Sequence, residues 1–138
     1  GVQTYDPPIS EYFQKTILRF DLSADPAAGK KFIYKSSRLD RAHGMTIGHN
    51  GNLFVSNLKN SFIQEFDSTS GKFVKTFLDV HTIGGGSVKD LHYEPQMDRY
   101  FLTSGSAVYV LSTDGALLAK HESIAMSGAV GIAMAVPR

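Results

Sequence analysis

His43 has the most consequential chemistry in this chain. A neutral imidazole can hold a divalent ion or a polar ligand, and no cysteine is present to compete for that role. Lys89 stands at the same point of the sequence pattern one repeat later, with Asp90 beside it. An imidazole, an ammonium and a carboxylate at one mouth could orient a polar ligand, although an aspartate there also suits the simpler task of capping turn amides. A zinc site takes about three or four ligands, and one chain offers a single imidazole at this point. A divalent ion, zinc or calcium, would therefore need His43 and Asp90 from two copies. His92 and His121 fall on different expected strands and lack a ligand spacing such as His-x3-His.

A second group is basic. Lys30, Lys31, Lys35, Arg38 and Arg41 lie in one stretch with Phe32 and Tyr34 between them and Asp40 as the acid. Cations interleaved with rings could contact RNA or another polyanion. Lysines on an outer strand also serve to prevent edge pairing. Fourteen Lys and Arg against thirteen Asp and Glu leave a net charge of +1, so no long-range field draws in nucleic acid or an anionic membrane. Nucleic acid is thus the less favoured partner. Gly84-Gly85-Gly86-Ser87 lacks the lysine and helix of a phosphate loop and reads as a connector. No serine sits in a nucleophile elbow, and Ser127-Gly128 reads as a plain turn. Asp21, Asp67 and Asp114 are too sparse for calcium loops; with glycine they build turns. No catalytic residues emerge.

The elements that must position these residues repeat. Residues 17–21, 62–67 and 107–112 alternate apolar with other residues, and each run leads through a polar turn to Gly29, Gly71 or Gly115. Phe20, Phe66 and Leu111 are 46 and 45 residues apart. A period in the forties made of short strands marks a β-propeller blade, a four-stranded antiparallel sheet with strands A to D running outward from the axis. The expected fold is all-β, with blades over about residues 1–41, 42–84 and 85–127. The middle blade has strands at 43–47, 53–56, 62–67 and 72–77, and Asn50-Gly51 supplies the positive φ angles of its first hairpin. The third has them at 90–93, 100–103, 107–112 and 116–119. The first has strands at 16–21 and 31–34, preceded by a candidate at 2–5, with Tyr12-Phe13 as the alternative. Its inner strand is missing, and residues 131–136 read as a lone inner strand. The order B-C-D, A-B-C-D, A-B-C-D, A makes three blades.

Three blades cannot close a ring, and a half-ring would leave apolar blade faces bare. Either a second copy, exchanging terminal strands in a homodimer, or a complementary half-propeller is expected to complete six blades. The 42 % hydrophobic and 20 % charged composition supports a packed core. Residues 124–136 are too short and too weakly apolar to span a bilayer. No signal peptide is visible, Gly1 and the Val-Pro-Arg ending have the look of processing remnants, and the compartment is left open.

Residues 42–57, Ala-His-Gly-Met-Thr-Ile-Gly-His-Asn-Gly-Asn-Leu-Phe-Val-Ser-Asn, resemble an NHL-repeat unit, and Phe62-Ile63-Gln64-Glu65-Phe66-Asp67 with Gly71 and Phe73 continues that pattern. Gly48-His49 departs from the family's acidic turn start, and Asn57 from its usual aspartate. The resemblance implies a six-bladed propeller. It leaves function open among binding modules for protein, RNA or carbohydrate, lyases and esterase-like enzymes. His43-Gly44-Met45 is similar to the His-Gly-Leu/Met start of some six-bladed lyases that hold a metal with channel histidines. A ligand- or protein-binding propeller is the expectation. Metal-dependent lyase or hydrolase chemistry in the central channel is the alternative, and polyanion binding the third.

Overall fold

The computed structural model describes residues 15–23 and 29–122. The first repeat supplies β1 (Ile17–Phe20) and β2 (Gly29–Ile33). The second supplies β3 (Ala42–Ile47), β4 (Leu53–Asn57), β5 (Phe62–Phe66) and β6 (Phe73–Asp79). The third supplies β7 (Asp90–Glu94), β8 (Arg99–Ser104), β9 (Ala107–Leu111) and β10 (Leu117–Glu122). Each of the last two repeats is an antiparallel meander, β3-β4-β5-β6 and β7-β8-β9-β10, and β1 pairs with β2. The strands expected at 2–5 or Tyr12-Phe13 and at 131–136, and the turn at Ser127-Gly128, lie outside the described residues.

Both faces of these sheets are apolar, because each sheet is packed between two others. Residues opposite one another across a ladder share a face, so the registers sort the side chains. In the second sheet, Leu53 and Phe66 are partners and face the first repeat; Phe54 and Glu65 are partners on the other side. In the third, Leu91, Leu102 and Tyr109 share the side facing the second sheet, whereas His92, Phe101 and Val110 share the opposite side. Two cores result. Ile17, Ile33 and Leu39 pack with Leu53, Val55 and Phe66 between the first and second repeats. Phe54, Ile63 and Val80 pack with Leu91, Tyr100, Tyr109 and Leu111 between the second and third.

The repeat positions fall into two series. Phe66 and Leu111 are 1 % and 0 % exposed, but Phe20, equivalent to them and expected to be buried like them, is 41 % exposed. Ile17 and Ile63 are both 0 % exposed, while the equivalent Val108 is half-buried. The Phe66 series faces backward along the chain and the Ile63 series forward. Phe20 and Val108 are the end members, each facing away from the other described sheets.

The turns follow the sequence with one correction. At the first hairpin of the second sheet, only Gly51 takes a positive φ, +82°, and Asn50 does not. The bonds from Gly51 N–H to the Gly48 carbonyl (3.0 Å) and from Gly48 N–H to the Asn52 carbonyl (2.9 Å) close that turn. Asn50 instead accepts from Asn52 N–H at 3.1 Å, leaving a single residue to carry the left-handed conformation. Asp98 (φ +53°) does so in the third sheet. A 3₁₀ helix over Val80–Ile83 follows β6, where the sequence suggested only a connector. The three aspartates behave as turn builders. Asp67 accepts from Thr69 and Ser70 N–H at 2.8 and 2.7 Å, and Asp21 from Ser23 N–H at 2.9 Å. Asp114 accepts from the Ser112 hydroxyl. These bonds hold all three carboxyls below the usual carboxylate range.

Two outcomes are expected. Phe66→Ala empties a fully packed inter-sheet position and lowers stability by about 3–5 kcal/mol, read from urea unfolding. The lowered aspartate pKa values mean that the folded chain binds fewer protons than the unfolded one. Their contribution is therefore complete above the unfolded carboxyl pKa, about 4, and is lost as pH falls through the folded values. Thermal melts should show stability falling on acidification below about pH 4, with a smaller fall in Asp67→Asn.

Candidate ligand site at the inner strands

β3 and β7 are the innermost strands of their sheets and lie side by side. Gly44 makes that approach possible. A methyl group there would stand 2.7 Å from Ser56 Oγ, 2.9 Å from Leu91 N and 3.1 Å from Asp90 Cα. The Ser56 hydroxyl, fully buried, accepts from Gly44 N–H at 3.0 Å and lies 3.5 Å from the Val88 carbonyl of the next sheet. Further along, Thr46 Oγ1 accepts from Tyr93 N–H at 3.0 Å.

This contact brings His43 to Lys89. The exposed imidazole places Nδ1 2.5 Å from the Lys89 carbonyl. A carbonyl only accepts, so Nδ1 carries the proton and Nε2 keeps its lone pair. Asp90 accepts from its neighbour's backbone, Leu91 N–H to Oδ1 at 2.9 Å, the capping role an aspartate at a strand start can fill. The Lys89 backbone is tied down by N–H donation to the Thr103 carbonyl at 3.0 Å. His43, Lys89 and Asp90 are thus neighbours across adjacent inner strands. His92 is directed elsewhere, on the Phe101 and Val110 side of the third sheet with Nε2 3.5 Å from Glu94 Oε2, and His121 shares a stripe with Val108 on that same side. Val130, the third member of the His43 series, lies outside the described residues. At the Asp90 end of the third sheet, a polar hollow of about 340 Å³ is lined by Gly84, Gly86, Ser104, Tyr109, Lys120 and Glu122 among others.

At the other end of β3, a buried phenol joins the sheets. Tyr100 Oη accepts from His49 N–H at 3.1 Å and lies 2.8 Å from His49 Nδ1. Its ring packs on Phe54, Phe77 and Tyr93 at 4.9–5.2 Å between centroids. Burial pushes the Tyr100 hydroxyl up to about 12. Gly48 leaves room for it, since a methyl there would come within 2.2 Å of both Tyr100 Oη and Phe54. The Gly48-His49 departure from the repeat pattern was the sequence signal for this bond.

Asn57, the second departure, accepts from Asp40 N–H at 3.0 Å and donates to the Arg38 carbonyl at 3.1 Å. A carboxylate could not make the second bond. Ser104 repeats the first of these bonds in the third sheet, accepting from Gly86 N–H at 2.9 Å.

Sequence reading missed Ser61, Asp79 and His81. The Ser61 hydroxyl donates to Asp79 Oδ1 and lies 2.9 Å from His81 Nδ1. That bond holds the Asp79 carboxyl below its usual range. With its proton on the aspartate, the serine is not activated by the histidine, and the group caps the 3₁₀ helix.

The basic stretch is arranged on rings. Lys31 and Lys35 ammonium groups lie 4.0 and 4.9 Å from the Tyr34 ring centroid, Arg19 lies 4.3 Å from Phe32, and Arg38 4.2 Å from Phe73. Hydrogen bonding to Lys35 holds the Tyr34 hydroxyl below its usual range. Lys30 and Lys31 are on the outer strand β2 and Arg41 takes a left-handed φ of +58° before β3.

The chain is similar in structure to selenomethionine-substituted virginiamycin B lyase from Staphylococcus aureus, with a TM-score of 0.55 and 14 % identity over 78 % of this chain and 34 % of that one. The fold is propeller-like. This chain spans about a third of that protein's length, and identity at that level speaks to fold alone. No protein-family model and no curated protein matches the sequence. Among the described residues, no helix is long and apolar enough to cross a membrane.

Gly44→Ala should force the inner strands apart at a cost of about 1–3 kcal/mol. Tyr100→Phe should cost about 1–3 kcal/mol by leaving His49 N–H without its acceptor. Urea unfolding reads both, and the phenolate absorbance of Tyr100 should emerge only near pH 12.

Proposed function

We propose that this protein is a ligand-binding β-propeller of NHL-like blades, contributing half of a six-bladed ring. Its ligand is taken where the inner strands open, with His43 as polar anchor and Lys89 and Asp90 beside it. The observation that supports this reading is the bond from His43 Nδ1–H to the Lys89 carbonyl, which fixes the exposed ring and leaves Nε2 as a hydrogen-bond acceptor. The site sits on paired strands rather than on a loop, so the ring is held before any ligand arrives.

The second reading is a metal-dependent lyase or hydrolase at the same mouth. A histidine held through Nδ1 by a carbonyl is the arrangement that orients metal ligands, and the similar solved structure is a lyase. Taken from one chain, the residues do not fit a divalent centre. No three His, Asp or Glu side chains come together among the described residues, and calcium prefers oxygen donors. Polyanion binding through Lys30, Lys31, Lys35, Arg38 and Arg41 is the third reading. It is weakened by the stacking of Lys31, Lys35 and Arg38 on rings, which leaves fewer cations free to follow a phosphate backbone.

The test is ligand-observed NMR with a defined mixture of small amides, sugars and hydroxy acids, run on the parent and on His43→Ala. Binding by the parent that disappears in the variant is the expected result. Equal signals from both proteins, or none from either, would remove His43 as the anchor. Elemental analysis of chelator-free protein runs alongside, and zinc present in the parent but absent from His43→Ala would move the assignment to the lyase reading.

A further inference from the structure

The two end faces of the described sheets are built from the same residue positions that mate inside the molecule. Between the first and second repeats, forward-facing Ile17 packs with backward-facing Phe66 in one core. Between the second and third, Ile63 packs with Leu111 in the other. The next pair in the series is Val108 with Phe20, and they stand at opposite ends of the chain's sheets. Val108 is half-buried and Phe20 is 41 % exposed. Phe101 and Val110 extend the Val108 end, on the side of the third sheet that faces away from the second. Leu22, 86 % exposed, and Tyr34, 47 % exposed, lie near Phe20 in the first repeat.

A polar group marks the same vacancy independently. Ser56 and Thr103 are equivalent, each the next-to-last residue of its strand. Ser56 Oγ reaches the Val88 carbonyl of the following sheet at 3.5 Å. Thr103 is 1 % exposed, and its Oγ1 has no hydrogen-bond partner. It shares a stripe with Val108, so this buried hydroxyl lies on the face where a following sheet would bring its carbonyl. Leaving such a group unsatisfied costs about 1–3 kcal/mol.

We infer that a second copy of this chain docks head to tail, with the Phe20 face of one copy on the Val108, Phe101 and Thr103 face of the other. The occupant is a second copy because the Phe20 face presents the aromatic position that Phe66 and Leu111 fill at the two internal interfaces. The contact is heterologous, and repeating it once around a twofold axis closes the ring with no end face left over. It rests on the ring reading above only for the number of blades; it needs neither His43 nor any ligand. The channel mouth then receives His43 from each copy.

The chain has no cysteine, which makes the contact directly testable. Phe20→Cys and Val108→Cys are prepared separately in the full chain, each checked for the parent's far-UV circular dichroism, then treated with a short bis-maleimide alone and as an equimolar mixture. Covalent dimer in the mixture and little in either variant alone is the expected result. Light scattering should give the untreated parent twice its 15.1 kDa chain mass. Phe20→Glu, a change at an exposed position, should return that mass to the single-chain value without loss of fold. A folded parent at single-chain mass, cross-linking of either variant with itself as efficiently as in the mixture, or a dimer indifferent to Phe20→Glu would overturn the docking. None of these outcomes bears on whether His43 anchors a ligand, and a failed ligand test leaves the predicted mass unchanged.

Discussion

The close approach of β3 and β7 is the constraint on which the rest depends. Two inner strands can lie together only where neither carries a side chain between them, and Gly44 supplies that gap. Ser56 then closes it with a hydroxyl that serves Gly44 on its own sheet and reaches Val88 on the next. Because the strands meet there, His43 finds the Lys89 carbonyl, and the tautomer of the ring follows from that bond. A bulkier residue at 44 would disturb packing and site geometry together.

The interfaces between repeats are variations on one plan. An apolar pair from the two series forms the centre: Ile17 with Phe66, then Ile63 with Leu111. A polar side chain at the end of the second strand, Asn57 or Ser104, bonds the incoming connector. Stability in such an array is approximately a sum of nearest-neighbour terms, so an end face forfeits the whole term of its missing neighbour. That is why Phe20 and Val108 differ in exposure from their equivalents although their residue types are just as apolar. The second interface adds an aromatic group, with Tyr100 bonded to His49 and surrounded by Phe54, Phe77 and Tyr93, which makes it more polar at one end and more rigid throughout.

The charged groups divide by radius. The inner strands carry few charges, and those present are bonded to backbone: His43 to a carbonyl, Asp90 to an amide. The outer strands carry lysines, several over aromatic rings, where they shield strand edges from pairing with other chains. Ser61, Asp79 and His81 show how residue types alone mislead. Their identities match a hydrolytic set, yet the serine proton is donated to the carboxylate and the group caps a short helix.

The strand pattern, the period in the forties, the turn aspartates and glycines and the boundaries of the two complete sheets were legible in the sequence, because alternation and turn chemistry are local properties of a chain. His43, Lys89 and Asp90 were legible as neighbours for a related reason: equivalent positions in successive repeats lie side by side once the sheets stack. The Tyr100 to His49 bond was not, although Gly48 and His49 stood out as departures from the repeat, since nothing local says that a phenol 51 residues away will enter the space a missing side chain leaves. The exposure of Phe20 was equally hidden. Its residue type and repeat position demand burial, and only the tertiary arrangement decides whether a neighbouring sheet is there to provide it. Local periodicity thus determined the sheets, while burial, tautomer and hydrogen-bond partner were decided by which sheet lies next to which, because those properties depend on atoms brought from other repeats.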